Sequence, residues 1–233
     1  MKSFYPKKRT FGIPSLYGVM FNFGGEAKHR FPSLFLKPYC SIKPLKFAPS
    51  PSASVKLQYE PGCVLKHELE LGVLVNRPGR DIDPKKFLDY VEGGLLVFDV
   101  TRSFESPGVQ VGNRKMGQNF TPISPLIPKE ILEDLGSLEL KMSDKKKQVG
   151  GKLADLHFSL PEIMKYISST SGLVPGDIIM SGTHGDLISS KKEKITGSLL
   201  KDGKEIYSAS FKVSEGDASA PKTPRKKKAD QPN

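Results

Sequence analysis

Glu68 and Glu70 sit two residues apart in Lys66-His-Glu-Leu-Glu-Leu-Gly-Val-Leu-Val75, a run that is otherwise largely apolar. Strand alternation puts Leu69, Leu71, Val73 and Val75 on one face and both glutamates on the other, roughly 6–7 Å apart at Cα. Like charges held this close in an apolar segment repel and lose hydration. Each carboxyl is then driven towards its neutral form unless a cation or strong donors compensate. Asp99 ends a second apolar run, Gly94-Leu-Leu-Val-Phe-Asp99, 29 residues after Glu70. Three carboxylates converging from two adjacent strands would suit a hard cation, Mg²⁺, Mn²⁺ or Ca²⁺, rather than zinc. The competing reading of the pair is two solvated glutamates on an edge strand. His67 alone reads as a packed side chain, not a ligand.

The elements that must position these groups follow from local signals. Residues 15–22 read as a short strand, the segment Ser33-Leu-Phe-Leu-Lys-Pro38 follows, and residues 43–55, rich in Pro and Ser, read as loop. Asp83-Pro84 opens a helix, with Asp as N-cap, Pro at the first position and Gly93 as terminator. Residues 94–100 form a buried strand, and 103–125 an irregular Gly/Pro-rich segment. Residues 135–142 and those after Ser143-Asp-Lys-Lys-Lys-Gln148 make a hairpin. A second helix starts at Ser159-Leu160-Pro161 and runs to about Ser169. Val174-Pro-Gly-Asp177 turns into a strand, and residues 197–213 close the chain as a hairpin around Lys201-Asp-Gly-Lys204. Eight or nine strands and two main helices without βαβ alternation give a sheet-rich α+β fold.

The chain of 233 residues, 37% hydrophobic and 26% charged, is long enough for one full core, and no apolar run approaches the roughly 18–20 residues that span a bilayer. Cys40 and Cys63 have no metal or redox spacing and read as free thiols. The net charge of +11 is concentrated at the ends: residues 1–47 hold nine Lys/Arg against one acid. The nearly neutral middle argues against a nucleic-acid-binding core. The tail Pro221-Lys-Thr-Pro-Arg-Lys-Lys-Lys-Ala-Asp230 reads as a solvated terminus, or as a contact arm for RNA, an anionic surface or an acidic protein. The organisation is therefore a basic extension (1–14), a folded domain (15–213) and a basic tail (214–233).

Six segments resemble, in the same order, the fumarylacetoacetate hydrolase superfamily: residues 35–38 (FLKP), 67–75 (HELELGVLV), 85–94 (KKFLDYVEGG), 95–101 (LLVFDVT), 158–168 (FSLPEIMKYIS) and 174–183 (VPGDIIMSGT). The resemblance is to its small single-domain branch of acylpyruvate hydrolases and oxaloacetate decarboxylases. It implies a mixed β-roll, usually a homodimer, binding Mg²⁺ or Mn²⁺ through Glu68, Glu70 and Asp99. That ion would chelate a 1,3-diketo or 2-oxo acid and stabilise an enolate.

The remaining family pattern is altered. The His-x-x-Glu dyad of the family falls on Glu26 and His29, with the two residue types exchanged. The stretch from there to Phe35 is shorter than in the family. A family lysine falls on Gln118, a substrate-binding candidate, with Lys115 three residues away. The Arg-Asp pair after the metal Asp is here Arg102-Ser103, and Gly-Thr-Pro ends as Gly182-Thr183-His184, Thr183 being a second substrate-binding candidate. These departures favour a degenerate member serving as an accessory or structural subunit of a larger assembly, such as a respiratory-chain enzyme or the mitochondrial ribosome. The alternative is an active Mg²⁺- or Mn²⁺-dependent C–C hydrolase or decarboxylase, free as a homodimer, with Glu26, His29 and Lys115 in adapted catalytic roles. Family habit places either in the mitochondrial matrix, the cytoplasm being the alternative.

Overall fold

The central strand forms where apolar alternation is strongest, because a pleated segment with one face of Leu and Val gains most from pairing. A computed structural model describes residues 14–23, 30–50, 52–57, 63–103, 114–184, 187–189 and 193–215. In chain order its strands are β1 (Leu16–Met20), β2 (Ser33–Lys37), β3 (Ile42–Pro44), β4 (Ala53–Leu57), β5 (Val64–Val75), β6 (Val91–Ser103) and β7 (Thr121–Ile123). They continue with β8 (Ile127–Pro128), β9 (Leu138–Ser143), β10 (Gln148–Lys152), β11 (Ile178–Met180), β12 (Ile188–Ser189), β13 (Lys194–Lys201) and β14 (Lys204–Glu215). One sheet runs β2-β1-β11-β5-β6-β7-β3, with β12 on β5 and β8 on β6; the other runs β10-β9-β13-β14-β4. The fold is sheet-rich α+β, as the sequence suggests.

Strands β5 and β6 are the spine. Their antiparallel register sets Glu68 opposite Asp99, Glu70 opposite Val97 and Gly72 opposite Leu95. Alternation then divides the core in two. Leu69, Leu71, Leu96, Phe98 and Val100 join the large cluster shared with the second sheet, where Phe98 meets Phe211 edge-on at 5.1 Å. The opposite face carries a smaller cluster of Leu16, Leu95, Val97, Ile123, Ile178 and Met180. The carboxylates lie on the face of β5 and β6 that carries this smaller cluster.

Helix α1 (Leu160–Thr170) is set by a capping box, in which the Ser159 N–H and hydroxyl both donate to Glu162 Oε2. The two expected hairpins are present, β9–β10 and β13–β14, the latter turning at Asp202 and Gly203 with φ of 50° and 75°.

Three local expectations are corrected. The segment after Asp83 is a 3-10 helix, Pro84–Tyr90, although Asp83 does cap it by accepting from Lys85 N at 3.0 Å. It buries only Phe87 and passes directly into β6, too short a stretch to sustain an α-helix. Gly93 therefore ends nothing: it lies within β6, where a Cβ would come within 2.4 Å of the Ile127 carbonyl oxygen. The Pro/Ser-rich stretch contains β3's end and the start of β4, each at a sheet edge. Edge strands need only one set of ladder bonds, so they accept Pro and Ser that an interior strand would reject. The described residues accordingly hold fourteen strands, more than the eight or nine expected.

Among the described residues no helix is long and apolar enough to cross a membrane. Cys40 is exposed, Cys63 is buried, and both are free. Residues 1–13 and 216–233, which carry most of the two basic ends, lie outside the described residues.

Candidate metal centre

Glu68, Glu70 and Asp99 come together on one face of β5 and β6, with one carboxylate oxygen from each within 4.8 Å of the others. Asp99 is fully buried and Glu70 nearly so, while Glu68 is half-buried. This is not a pair of solvated edge glutamates. Each carboxylate is held by a different device. Glu68 Oε2 accepts from the Thr101 hydroxyl at 3.1 Å, on the same face of β6 as Asp99. Glu70 Oε2 accepts from the Gly182 N–H at 2.6 Å. Asp99 is gripped by two lysines: Lys37 Nζ donates to Oδ1 and Lys115 Nζ to Oδ2. Lys115 Nζ also donates to Glu68 Oε2.

The electrostatics follow from this packing. Burial raises the Glu70 carboxyl to about 8, helped by the charges of Asp99 and Glu68. Burial and Asp99 raise Glu68 as well. Burial also pushes on Asp99, but the two ammonium groups outweigh it and hold Asp99 below the usual carboxylate range. Burial lowers Lys37 despite Asp99 beside it, while the carboxylates around Lys115 outweigh its burial and raise it. Below about 8 Glu70 holds its proton, so Glu68 and Asp99 balance the two ammoniums; once Glu70 ionises, one negative charge is left over in a poorly hydrated place. An all-oxygen set with uncompensated charge fits a hard divalent cation.

The supporting loops explain why the sequence folds this way. At the Pro-Gly-Asp turn Gly176 has φ of 98°, and Asp177 accepts from Ser15 N at 2.7 Å and Val174 N at 2.8 Å. That clamp ties the start of β11 to β1. Beyond β11, Asn22 Nδ2 donates to Ser181 O at 2.7 Å and to Phe158 O at 2.8 Å, fixing the Ser-Gly-Thr segment. Gly182 there has φ of 81°, and an added Cβ would lie 2.9 Å from Asn22 Cβ. Gly182→Ala is expected to lose about 1–3 kcal/mol of stability from this strained conformation and to weaken metal binding by shifting the N–H that holds Glu70. Urea unfolding and Mn²⁺ calorimetry check both; unchanged metal affinity would show that Glu70 needs no such support.

The other sequence candidates separate. Glu26 and His29 lie outside the described residues. Gln118 is exposed and no contact with the carboxylates is found for it, whereas Lys115 from the same segment reaches two of them. The Thr183 hydroxyl donates to Leu69 O at 3.2 Å, a bond within the strand framework. His184 is buried, its Nε2 2.7 Å from Lys152 O and its ring 3.8 Å from that of Phe23. Burial lowers its pKa, and Gly151 makes room for it, since a Cβ there would lie 1.9 Å from the ring. His67 is fully buried on the opposite face of β5, its ring 5.9 Å from Phe211.

Lys37, inside the 35–38 segment, and Thr101 join the site without standing out as candidates in the sequence. The available signal was a lysine ending a strand of the type Leu-Phe-Leu, where a cation is costly unless paired. Arg102 has a role the pattern of Arg102-Ser103 does not suggest: its guanidinium donates to Met116 O and lies 5.3 Å from the Phe120 ring centroid, fastening the segment that carries Lys115.

Residues 25–212 match the family described as Fumarylacetoacetate (FAA) hydrolase C-terminal. The chain belongs to this family. It is 35% identical over 183 residues to a mitochondrial oxaloacetate tautomerase of Oryza sativa subsp. japonica, covering 72% of this chain and 76% of that protein. It is 31% identical over 169 residues to the mitochondrial oxaloacetate decarboxylase of Dictyostelium discoideum, covering 70% and 77%. Among solved structures it is similar to the yeast fumarylacetoacetate hydrolase family protein ynq8, with a TM-score of 0.73 at 22% identity over 86% of this chain and 93% of that one. It is also similar to fumarylpyruvate hydrolase from Pseudomonas aeruginosa in complex with Mn²⁺ and pyruvate, with a TM-score of 0.71 at 20% identity over 90% and 93%. These two likenesses concern the fold. The mitochondrial names of the sequence relatives fit a mitochondrial location for this family member. The expectation of an accessory or structural subunit draws no support from these relatives, which favour the alternative of a metal-dependent enzyme.

Proposed function

We propose that the chain is a divalent-metal-dependent enzyme of the mitochondrial matrix acting on a short 2-oxo dicarboxylic acid, with keto–enol tautomerisation of oxaloacetate as its reaction. The observation that carries this reading is the meeting of three carboxylates and two ammoniums on one buried strand face. The sequence relatives named as oxaloacetate tautomerases direct the choice of substrate. Mg²⁺ or Mn²⁺ bound by Glu68, Glu70 and Asp99 would supply a Lewis acid that polarises a 2-oxo group.

The chain's own residues do the rest. Lys37 fixes Asp99 from behind, Gly182 fixes Glu70 and Thr101 orients Glu68, so the ligand face is set before substrate arrives. Lys115 holds an ammonium against Glu68 and Asp99, a charge that would suit a substrate carboxylate once freed from them. Tautomerisation takes one proton from C3 and places one on the 2-oxygen; no water adds and no group leaves. It therefore demands less machinery than hydrolysis. Decarboxylation is the second reading, favoured by the Dictyostelium discoideum relative, and it uses the same polarised 2-oxo group.

The test supplies oxaloacetate with Mn²⁺ and follows the enol by ultraviolet absorption and pyruvate by a coupled assay. The expected result is metal-dependent enol–keto interconversion that exceeds pyruvate formation. Glu68→Gln is expected to lower it at least about 10²-fold. Pyruvate appearing at the rate of enol loss would instead establish the decarboxylase, and no metal-dependent change in either signal would sink both.

A further inference from the structure

We propose that Lys115 is an internal cation that occupies the metal position of the metal-free chain and is released when the divalent ion binds. The inference rests on the metal-dependent reading above. Lys115 Nζ bridges Glu68 Oε2 and Asp99 Oδ2, so a single ammonium engages two of the three carboxylates that can share an ion. A divalent cation ligated at roughly 2.0–2.6 Å by the same groups would lie within a few ångströms of that ammonium. Positive charges at that separation in a dry site repel strongly. One of them must leave.

The two lysines differ in which can go. Lys37 has a fully buried side chain, and its Nζ also donates to Phe120 O at 2.8 Å and Val100 O at 3.4 Å. Pulling it away would strip three acceptors in a place water does not reach. Lys115 has a side chain 9% exposed, and its neighbour Met116 is 47% exposed. Its ammonium already lies 5.0 Å from the Phe35 ring centroid, an aromatic face that can receive it as it moves. The carboxylates keep other supports when it leaves: Asp99 retains Lys37, Glu68 retains Thr101 and Glu70 retains Gly182. Arg102, bonded to Met116 O, limits the motion to the side chain and keeps the freed charge at the rim. Metal loading and the exposure of a cation for an anionic ligand are thereby one event.

The experiment is lysine acylation footprinting of the full chain by mass spectrometry, in EDTA and across a Mn²⁺ titration, with calorimetry of Mn²⁺ binding alongside. Lys115 is expected to be protected in EDTA and to become reactive with the half-saturation of Mn²⁺ binding, while Lys37 stays protected throughout. If Lys115 engages the carboxylates nine-tenths of the time, Lys115→Met should bind Mn²⁺ about tenfold more tightly. Saturable Mn²⁺ binding with flat Lys115 labelling would overturn the exchange and leave the metal-dependent reading standing. Binding by Lys115→Met no tighter than wild type would do the same. Absence of saturable Mn²⁺ binding would overturn both. Should Lys115→Met fail to fold, the wild-type footprint decides alone.

Discussion

Asp99→Ala is expected to destabilise the chain by about 3–5 kcal/mol, the cost of leaving a buried charge without its partner. Lys37 has no exposed side-chain surface, and Asp99 is its only carboxylate contact in the described structure. With Asp99 gone, the ammonium keeps two backbone carbonyls, Phe120 O and Val100 O, and no carboxylate in direct contact, only the more distant Glu70. Burial already lowers Lys37 in the intact protein, so the variant can shed part of the penalty by losing the proton. Its defect should therefore shrink as pH rises. Lys37→Met should cost less, because Asp99 still has Lys115. The double variant Lys37→Met/Asp99→Leu, which removes both charges, should recover much of the stability lost in Asp99→Ala. Urea unfolding of the three variants in EDTA reads these differences without interference from metal binding. An Asp99→Ala protein within 1 kcal/mol of wild type would show that Lys37 finds water or another partner, and that the buried pair does not secure β6.

The same pair shows what the sequence could and could not reveal. Glu68, Glu70 and Asp99 were legible because β5 and β6 are long, apolar and regular, so a carboxylate within them breaks a period that burial enforces. Helix α1 and the two hairpins were legible through capping and turn chemistry, which act over four residues or fewer. Lys37 lies 62 residues from Asp99 and reaches it across the sheet order, a contact no local pattern encodes. Lys115 stands in a Gly/Pro-rich stretch whose sequence has no period to set an orientation, although Arg114 and Lys115 are helical in the fold; only the fold decides that Lys115, and not Gln118, meets the carboxylates. Edge strands β3 and β4 were hidden by their own composition, since a strand bonded on one side tolerates the residues that mark loops elsewhere. The segment with Glu26 and His29 offers no comparable test, being outside the described residues.

Glu70 should make the metal-free protein less stable as pH rises. Its carboxyl is raised to about 8 in the fold from a usual value near 4.5, chiefly by burial and then by Asp99 and Glu68. Between those two values the folded chain holds a proton that the unfolded chain has released, so stability falls with increasing pH across that window. Above about 8 the loss is complete. Asp99 acts in the opposite sense at lower pH: held below its ordinary range by the two lysines, it contributes stability that disappears as acid protonates it. Comparison of wild type with Glu70→Gln cancels the Asp99 contribution and isolates the first effect. Glutamine keeps an oxygen that can accept from the Gly182 N–H but cannot ionise. In EDTA, Glu70→Gln should exceed wild type by about 2–4 kcal/mol at pH 8.5, with the difference shrinking towards pH 5. Saturating Mn²⁺ should invert the order. Ion binding needs Glu70 ionised, so wild type should gain stability with rising pH while Glu70→Gln gains little. A wild-type stability that stays flat from pH 5 to 8.5 in EDTA, and equal to that of Glu70→Gln, would mean that the carboxyl is hydrated and ionised throughout. The buried, charge-crowded ligand face would then not be what this strand pair builds.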